Sequence, residues 1–227
     1  INFQKGIDIA LRCLQQLELA IRLRRGLNVV AGEVGTGKTT LCRELIRGFA
    51  ADPAVSCHLI LDPRAPTSRA FLGLVLAALG EDAPPDLEEA ALQERLKSAI
   101  YRRAVEEGRI LALIIDEGQK LPPFGLECLR ELLNYETNTH KLLQIVIFAQ
   151  REFAATAAGQ PNFADRINLF HRLGPLDSAG TRSLVRFRLQ TAGWAPGRRP
   201  LFSAPALLAV HREVPGLDEQ RHGRPVL

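Results

Sequence analysis

The 227-residue chain is 46% hydrophobic and 24% charged, with 18 glycines and 14 prolines; this suits one large α/β domain with a real core and excludes a disordered or collagen-like protein. Its longest apolar run, residues 70–79, is too short to span a bilayer, and no charged-then-apolar leader opens the sequence. The net charge of +4 is uneven: residues 1–176 hold 21 basic and 21 acidic side chains, residues 177–227 hold 8 and 4, so the last quarter reads as a solvated basic face, an anion or nucleic-acid contact, or a subunit interface.

In chain order, residues 27–31 (LNVVA) form a short apolar run that predicts a buried strand ending at Gly32. Gly32-Glu33-Val34-Gly35-Thr36-Gly37-Lys38-Thr39 follows and fits G-x-x-x-x-G-K-[ST] between a predicted strand and a predicted helix. Glycines let the chain curl so that successive backbone N–H groups point inward at phosphate oxygens. The helix behind them, entered through Thr40, adds the positive end of its dipole. Lys38 would supply a full charge to the β- and γ-phosphates, and the Thr39 hydroxyl would ligate Mg²⁺. A chance match in a chain of this length is expected on the order of once per hundred sequences. The segment therefore predicts binding of a nucleoside triphosphate, with ATP and Mg²⁺ as the expected ligands.

Beyond the loop, Leu41, Leu45, Ile46 and Phe49 share one face of a helix. Residues 55–61 predict a second strand and residues 68–79 a buried helix; 81–86 are an acidic, Pro-containing loop. A long helix carries Leu92, Leu96, Ile100 and Ala104 on one side. Residues 110–115 (ILALII) are apolar throughout, as in a central parallel strand covered on both faces. Asp116 and Glu117 follow at once. Ligands of parallel sheets bind beyond the carboxyl ends of the strands, so Asp116 is expected to hold Mg²⁺ through water and Glu117 to act as general base on the attacking water.

A helix after Pro122 and Pro123 (Cys128, Leu129, Leu132, Leu133), a strand at 142–149 and a weaker strand at 171–176 complete the alternation. Strands alternating with helices argue for a parallel sheet with helices on both sides. From 177 the strand signal stops, and 178–192 and 203–211 read as helices, the latter starting at Ser203. The domains expected are a nucleotide-binding α/β core over 1–176 and a small helical unit over 177–227.

Asp116-Glu117-Gly118-Gln119 resembles the second nucleotide motif of an AAA+ ATPase. GEVGTGKTTL (32–41), LRELLNYET (129–137), KLLQIVIFAQ (141–150), FADRINLFHRLGPL (163–176) and RFRLQTAGW (186–194) together resemble the ATPase domain of the general secretion pathway protein A family. The resemblance covers roughly residues 7–210. It implies a P-loop NTPase of AAA+ type with a five-stranded parallel sheet and a C-terminal helical lid. It also implies ATP hydrolysis coupled to assembly of secretion or pilus machinery, at the cytoplasmic side of a membrane to which the full protein is attached. Carried over by position, Gln150 is the expected sensor of the γ-phosphate. Arg166 is the expected arginine finger offered in trans within a homo-oligomer, with Arg172 as competing candidate. Two departures stand out. Gly118 replaces an alanine usual in that family, a small change beside the acidic pair, and the tail 214–227 lacks the expected second sensor motif, so no residue is assigned to it.

Four scattered cysteines (13, 42, 57, 128) without a C-x-x-C pair suggest neither zinc nor disulfides and fit a reduced, cytoplasmic compartment. Five dispersed histidines show no metal-ligand spacing. Arginines cluster at 22–25 and 198–199, but aromatics make up only 6% and do not interleave with them. Direct nucleic-acid binding is therefore the lesser expectation, and a DNA-linked ATPase regulator of the transposition-accessory type is the alternative function.

Overall fold

The computed structural model describes residues 2–174, 181, 182, 185, 189, 193, 194 and 201–212. Five strands, β1 (Leu27–Gly32), β2 (Val55–Ile60), β3 (Ile110–Ile115), β4 (Leu143–Ala149) and β5 (Ile167–Leu173), form one sheet in the order β2-β3-β4-β1-β5. Every pairing is parallel. The three inner strands, β3, β4 and β1, are buried on both faces apart from Ile110 at the start of β3, which is why their sequences are apolar almost without alternation.

Seven helices precede or follow strands in the described core: α1 (Asn2–Arg22), α2 (Lys38–Phe49), α3 (Ser68–Ala78), α4 (Glu89–Tyr101), α5 (Pro123–Leu132), α6 (Phe153–Ala158) and α7 (Pro161–Ala164). They split between the two faces of the sheet. On one face, Phe71, Leu72, Val75 and Leu76 of α3, Leu92, Leu96 and Ile100 of α4 and Leu126, Leu129 and Leu132 of α5 pack with Leu111, Leu113 and Ile115. On the other, Cys13, Leu17 and Ile21 of α1 and Leu41, Leu45 and Phe49 of α2 pack with Ala112 and Ile114. Successive residues of β3 thus feed opposite cores, as the two-residue period of a strand requires. Each fully buried leucine, isoleucine or phenylalanine contributes about 1.5–3 kcal/mol to this sandwich.

Three sequence expectations change. The first helix, α1, was not foreseen. It buries Cys13, Leu17, Ala20 and Ile21, yet Ile9, Leu11 and Leu19 stay exposed, so its apolar residues are not confined to the buried face. The last strand begins at Ile167 rather than 171 and ends at Leu173. It is an edge strand whose Asn168, Phe170 and Arg172 face outward, and this alternation hid its first half. The apolar face of α4 continues to Ala104 through a π-helical turn, Arg102–Glu106.

The predicted helix at 203–211 is present as α8 (Ala204–Arg212), and the Ser203 hydroxyl accepts from Ala206 N at 3.3 Å as a cap. The domain boundary near 176, most of the predicted helix 178–192 and the tail 214–227 lie outside the described residues. Registers Ala31↔Ala149 and Ile115↔Ile147 align the carboxyl ends of β1, β4 and β3. The segments that begin at Glu33, Gln150 and Asp116 therefore leave the sheet side by side.

Candidate active site

The loop from β1 to α2 is shaped by three glycines. A Cβ on Gly32 would lie 2.7 Å from Leu173 O and 2.8 Å from Thr36 Oγ1, so the strand can pass β5 this closely only as glycine. Gly35 (φ 82°) and Gly37 (φ 88°) occupy the left-handed region that side chains avoid. The Thr36 hydroxyl donates to Glu33 O at 2.8 Å and fastens the turn. No side chain caps the start of α2, so its first amides are free to meet an anion. Lys38 Nζ donates to Gly32 O at 2.8 Å and Glu33 O at 2.7 Å. Burial pushes the Lys38 pKa below 10.5, against the opposing pull of Glu117, Asp116, Glu33 and Glu152. The loop opens on a cleft of about 340 Å³ lined by Val34, Gly35, Gly37, Lys38, Thr39, Thr40, Glu117 and Gln150.

The acidic pair closes the other side. Asp116 is buried at 5% exposure. Its Oδ2 accepts from Thr39 Oγ1 at 3.1 Å and its Oδ1 from Glu117 N at 2.9 Å. Glu117 has a positive φ of 55°, shared among described non-glycine residues only with Arg24. Such a conformation costs on the order of 1 kcal/mol or more and persists where surrounding contacts impose it. Glu117 Oε2 accepts from Gln119 Nε2 at 2.9 Å and pairs with Lys120 Nζ at 3.2 Å. The other end of the same amide, Gln119 Oε1, accepts from Gln150 N at 3.0 Å. Gly118, between them, sits against β4: a Cβ there would lie 2.2 Å from Ile147 Cγ2 and 3.2 Å from Ala149 Cβ. The glycine is therefore no small change from alanine but the residue that lets this turn seat on the sheet.

The structure thus brings together every residue expected at the phosphate loop, the acidic pair and Gln150. Arg166 stands apart, and Arg172 is outside the cleft lining although it sits at the loop end of the sheet. Ile167 pairs with Leu27 at the start of β1, so Arg166 lies at the opposite end of the sheet from the loop after Gly32. There its charge assists Lys141, which hydrogen-bonds Glu136 and holds that carboxyl below the usual range. Arg172 pairs in register with Ala31, and its guanidinium lies 5.9 Å from the ring centroid of Phe170. Sequence reading missed two features of the site. Arg151 Nε pairs with Glu33 Oε1 of the loop at 3.0 Å, a contact between distant segments with no local signal. Gln119 belongs to the acidic motif, but nothing in its spacing signals the double hydrogen bond. A second basin, of about 480 Å³, lies near Arg24, Glu136, His140 and Lys141, where Arg24 bonds His140 and Lys141 pairs with Glu136.

The donor set suits a hard divalent cation. Thr39 and Asp116 present oxygens to one spot, and among the described residues no group of three or more His, Cys, Asp or Glu converges to hold a metal alone. Mg²⁺ is bound in this way, through one or two protein oxygens, waters and substrate phosphates.

A family profile described as "AAA domain" matches residues 21–156. The chain belongs to the AAA domain family. General secretion pathway protein A of Aeromonas hydrophila is 32% identical to this AAA domain over 207 residues, 90% of the chain and 36% of that protein. The chain therefore spans about a third of that relative's length. Among solved structures, Cdc6p from Pyrobaculum aerophilum has a TM-score of 0.66 at 19% identity, covering 88% of this chain and 53% of that one. The Aeropyrum pernix ORC1 protein in complex with DNA gives 0.65 at 18%, covering 84% and 50%. The Aeropyrum pernix ORC2 protein in its ADPNP–ADP complexes gives 0.61 at 17%, covering 80% and 50%. At these identities the likeness concerns the fold, which is the P-loop α/β sandwich of an AAA+ ATPase. No described helix is long and apolar enough to cross a membrane.

Proposed function

We propose that this AAA domain binds ATP and Mg²⁺, hydrolyses the β–γ phosphoanhydride bond, and uses the cycle to drive or regulate assembly of a secretion or pilus system. The observation that carries the catalytic part is the Thr39–Asp116 hydrogen bond, with Glu117 and Lys38 lining the same cleft. Amides of the loop and of the first turn of α2 hold the phosphates, and Lys38 exchanges its carbonyl partners for β- and γ-oxygens. Thr39 and Asp116 would hold Mg²⁺ with its waters, and the bound ion would supply charge to neutralise the oxygens of the transferred group. Glu117 takes the proton of a water whose oxygen bonds the γ-phosphorus; the bond to the bridging oxygen breaks and its electron pair leaves with ADP.

Gln150 orients that water or the γ-phosphate from the end of β4. Arg166 serves a neighbouring copy, because one six-residue strand, about 17 Å of backbone, separates it from its own loop. The 32% identity to general secretion pathway protein A supports the secretion setting, at the cytoplasmic side of a membrane. A DNA-linked ATPase regulator is the second reading, favoured by the basic surplus of residues 177–227.

ATPase assays with and without DNA, alongside mass in solution, test these readings. Lys38→Ala should lose ATP binding by calorimetry. Glu117→Gln should bind ATP and turn over about a hundredfold more slowly. Arg166→Ala should lose hydrolysis and recover it when mixed with Lys38→Ala subunits. Equal turnover by Glu117→Gln removes the base, failed mixing removes the shared site, and DNA-stimulated hydrolysis favours the second reading.

A further inference from the structure

The side chain between the acidic pair and the end of β4 is a primary amide used at both ends. Gln119 donates from Nε2 to Glu117 Oε2 at 2.9 Å and accepts at Oε1 from Gln150 N at 3.0 Å. The two partners fix its orientation: a carboxylate can only accept and a backbone N–H can only donate. A flipped amide would lose both bonds. The turn that carries Gln119 is seated on β4 through Gly118, where no Cβ fits against Ile147. Glu117 itself is held at φ 55°, so its carboxylate has one backbone setting and needs a partner to fix its side-chain direction. The same oxygen also pairs with Lys120 Nζ at 3.2 Å, on a side chain 36% exposed, so of its two partners only Gln119 ties the carboxylate to the sheet.

We infer that Gln119 is a positioning residue, a two-ended strut that fixes the Glu117 carboxylate relative to the strand end bearing Gln150. The inference rests on the reading of Glu117 as the base. The strut makes base and phosphate sensor one rigid unit: a shift of the β4 end under the γ-phosphate moves Glu117 with it. Binding of nucleotide does not need the strut, since none of the loop amides, Lys38 or Thr39 bonds Gln119. Its effect falls on turnover.

The test is steady-state ATP hydrolysis by Gln119→Ala and Gln119→Glu, each also combined with Glu117→Gln, with thermal melts as a control on folding. Gln119→Glu preserves length, shape and the acceptor toward Gln150 N; it replaces the donor to Glu117 by an oxygen and adds a negative charge beside that carboxylate. Gln119→Ala removes the donor with no added charge, so the strut requires both to be slow. Both single variants should lose about ten- to a hundredfold in kcat with KM for ATP within about twofold. Neither should slow the Glu117→Gln protein further. Parental kcat in Gln119→Glu overturns the strut even if Gln119→Ala is slow or unstable, since packing alone would then explain the residue. A further loss on the Glu117→Gln background overturns it as well. If Glu117→Gln is slow while both Gln119 variants match the parent, the strut alone fails. If Glu117→Gln itself turns over at the parental rate, the base assignment fails and the strut falls with it.

Discussion

Gly118→Ala is the most informative single substitution outside the charged residues. An added Cβ would sit 2.2 Å from Ile147 Cγ2, about 1.3–1.8 Å inside a normal carbon–carbon separation. Ile147 has no exposed surface and cannot swing aside, while Ala149 Cβ at 3.2 Å and Phe148 O at 3.3 Å block the remaining directions. Overpacking of this kind costs about 1–3 kcal/mol, and the lack of an escape route argues for about 3. The φ of Gly118 lies outside the left-handed region, so alanine recovers about 0.4–1 kcal/mol through the unfolded chain. The net loss of about 2 kcal/mol should lower Tm by roughly 4–8 °C in a chain of this size. Calorimetric melting reads it directly. Adding Ile147→Ala, which removes the struck methyl group, should destabilise less than the two single losses combined, by about 1 kcal/mol. A Gly118→Ala protein melting within about 1 °C of the parent would refute the packing argument.

Two further predictions concern pH. Burial lowers the Lys38 pKa from 10.5, and only the ammonium form attracts phosphate, so ATP affinity should begin to fall on the alkaline side before pH 10.5; calorimetric titrations that stay flat up to that pH would contradict this. Burial likewise pushes the pKa of His58, His140 and His171 below 6.5. The unfolded chain then takes up protons first as pH falls, so stability present above pH 6.5 should be lost progressively below it, as a drop in urea midpoint that His58→Gln and His171→Gln each make shallower.

What could be read from the sequence was whatever is encoded in consecutive residues. ILALII announced a strand buried on both faces, and the glycines announced the tight turn from β1 into α2 without help from the fold. Asp116 and Glu117 were legible because a strand's end defines where its next residues emerge. α1 was not: Ile9, Leu11 and Leu19 on its open face mask the buried row of Cys13, Leu17 and Ile21. Nor was the start of β5, because an edge strand alternates and its outward residues dilute the apolar signal. The Arg151–Glu33 pair and the bond from Gln150 N to Gln119 join segments 31 or more residues apart, and no short window of sequence contains them. The role of Gly118 was misjudged because the atom that excludes a Cβ belongs to another strand.

The sheet places the triphosphate cradle and Arg166 at opposite poles, and that polarity constrains any assembly in which one copy completes another's chemistry. In the proposed arrangement, with Arg166 serving a neighbouring cradle, each contact would join unlike patches, so copies would add head to tail and the array would either close on itself or grow without limit. An open row leaves a cradle unserved at one terminus and a guanidinium idle at the other. Specific activity should therefore climb with protein concentration as the proportion of terminal copies shrinks, and level off once closure leaves no termini.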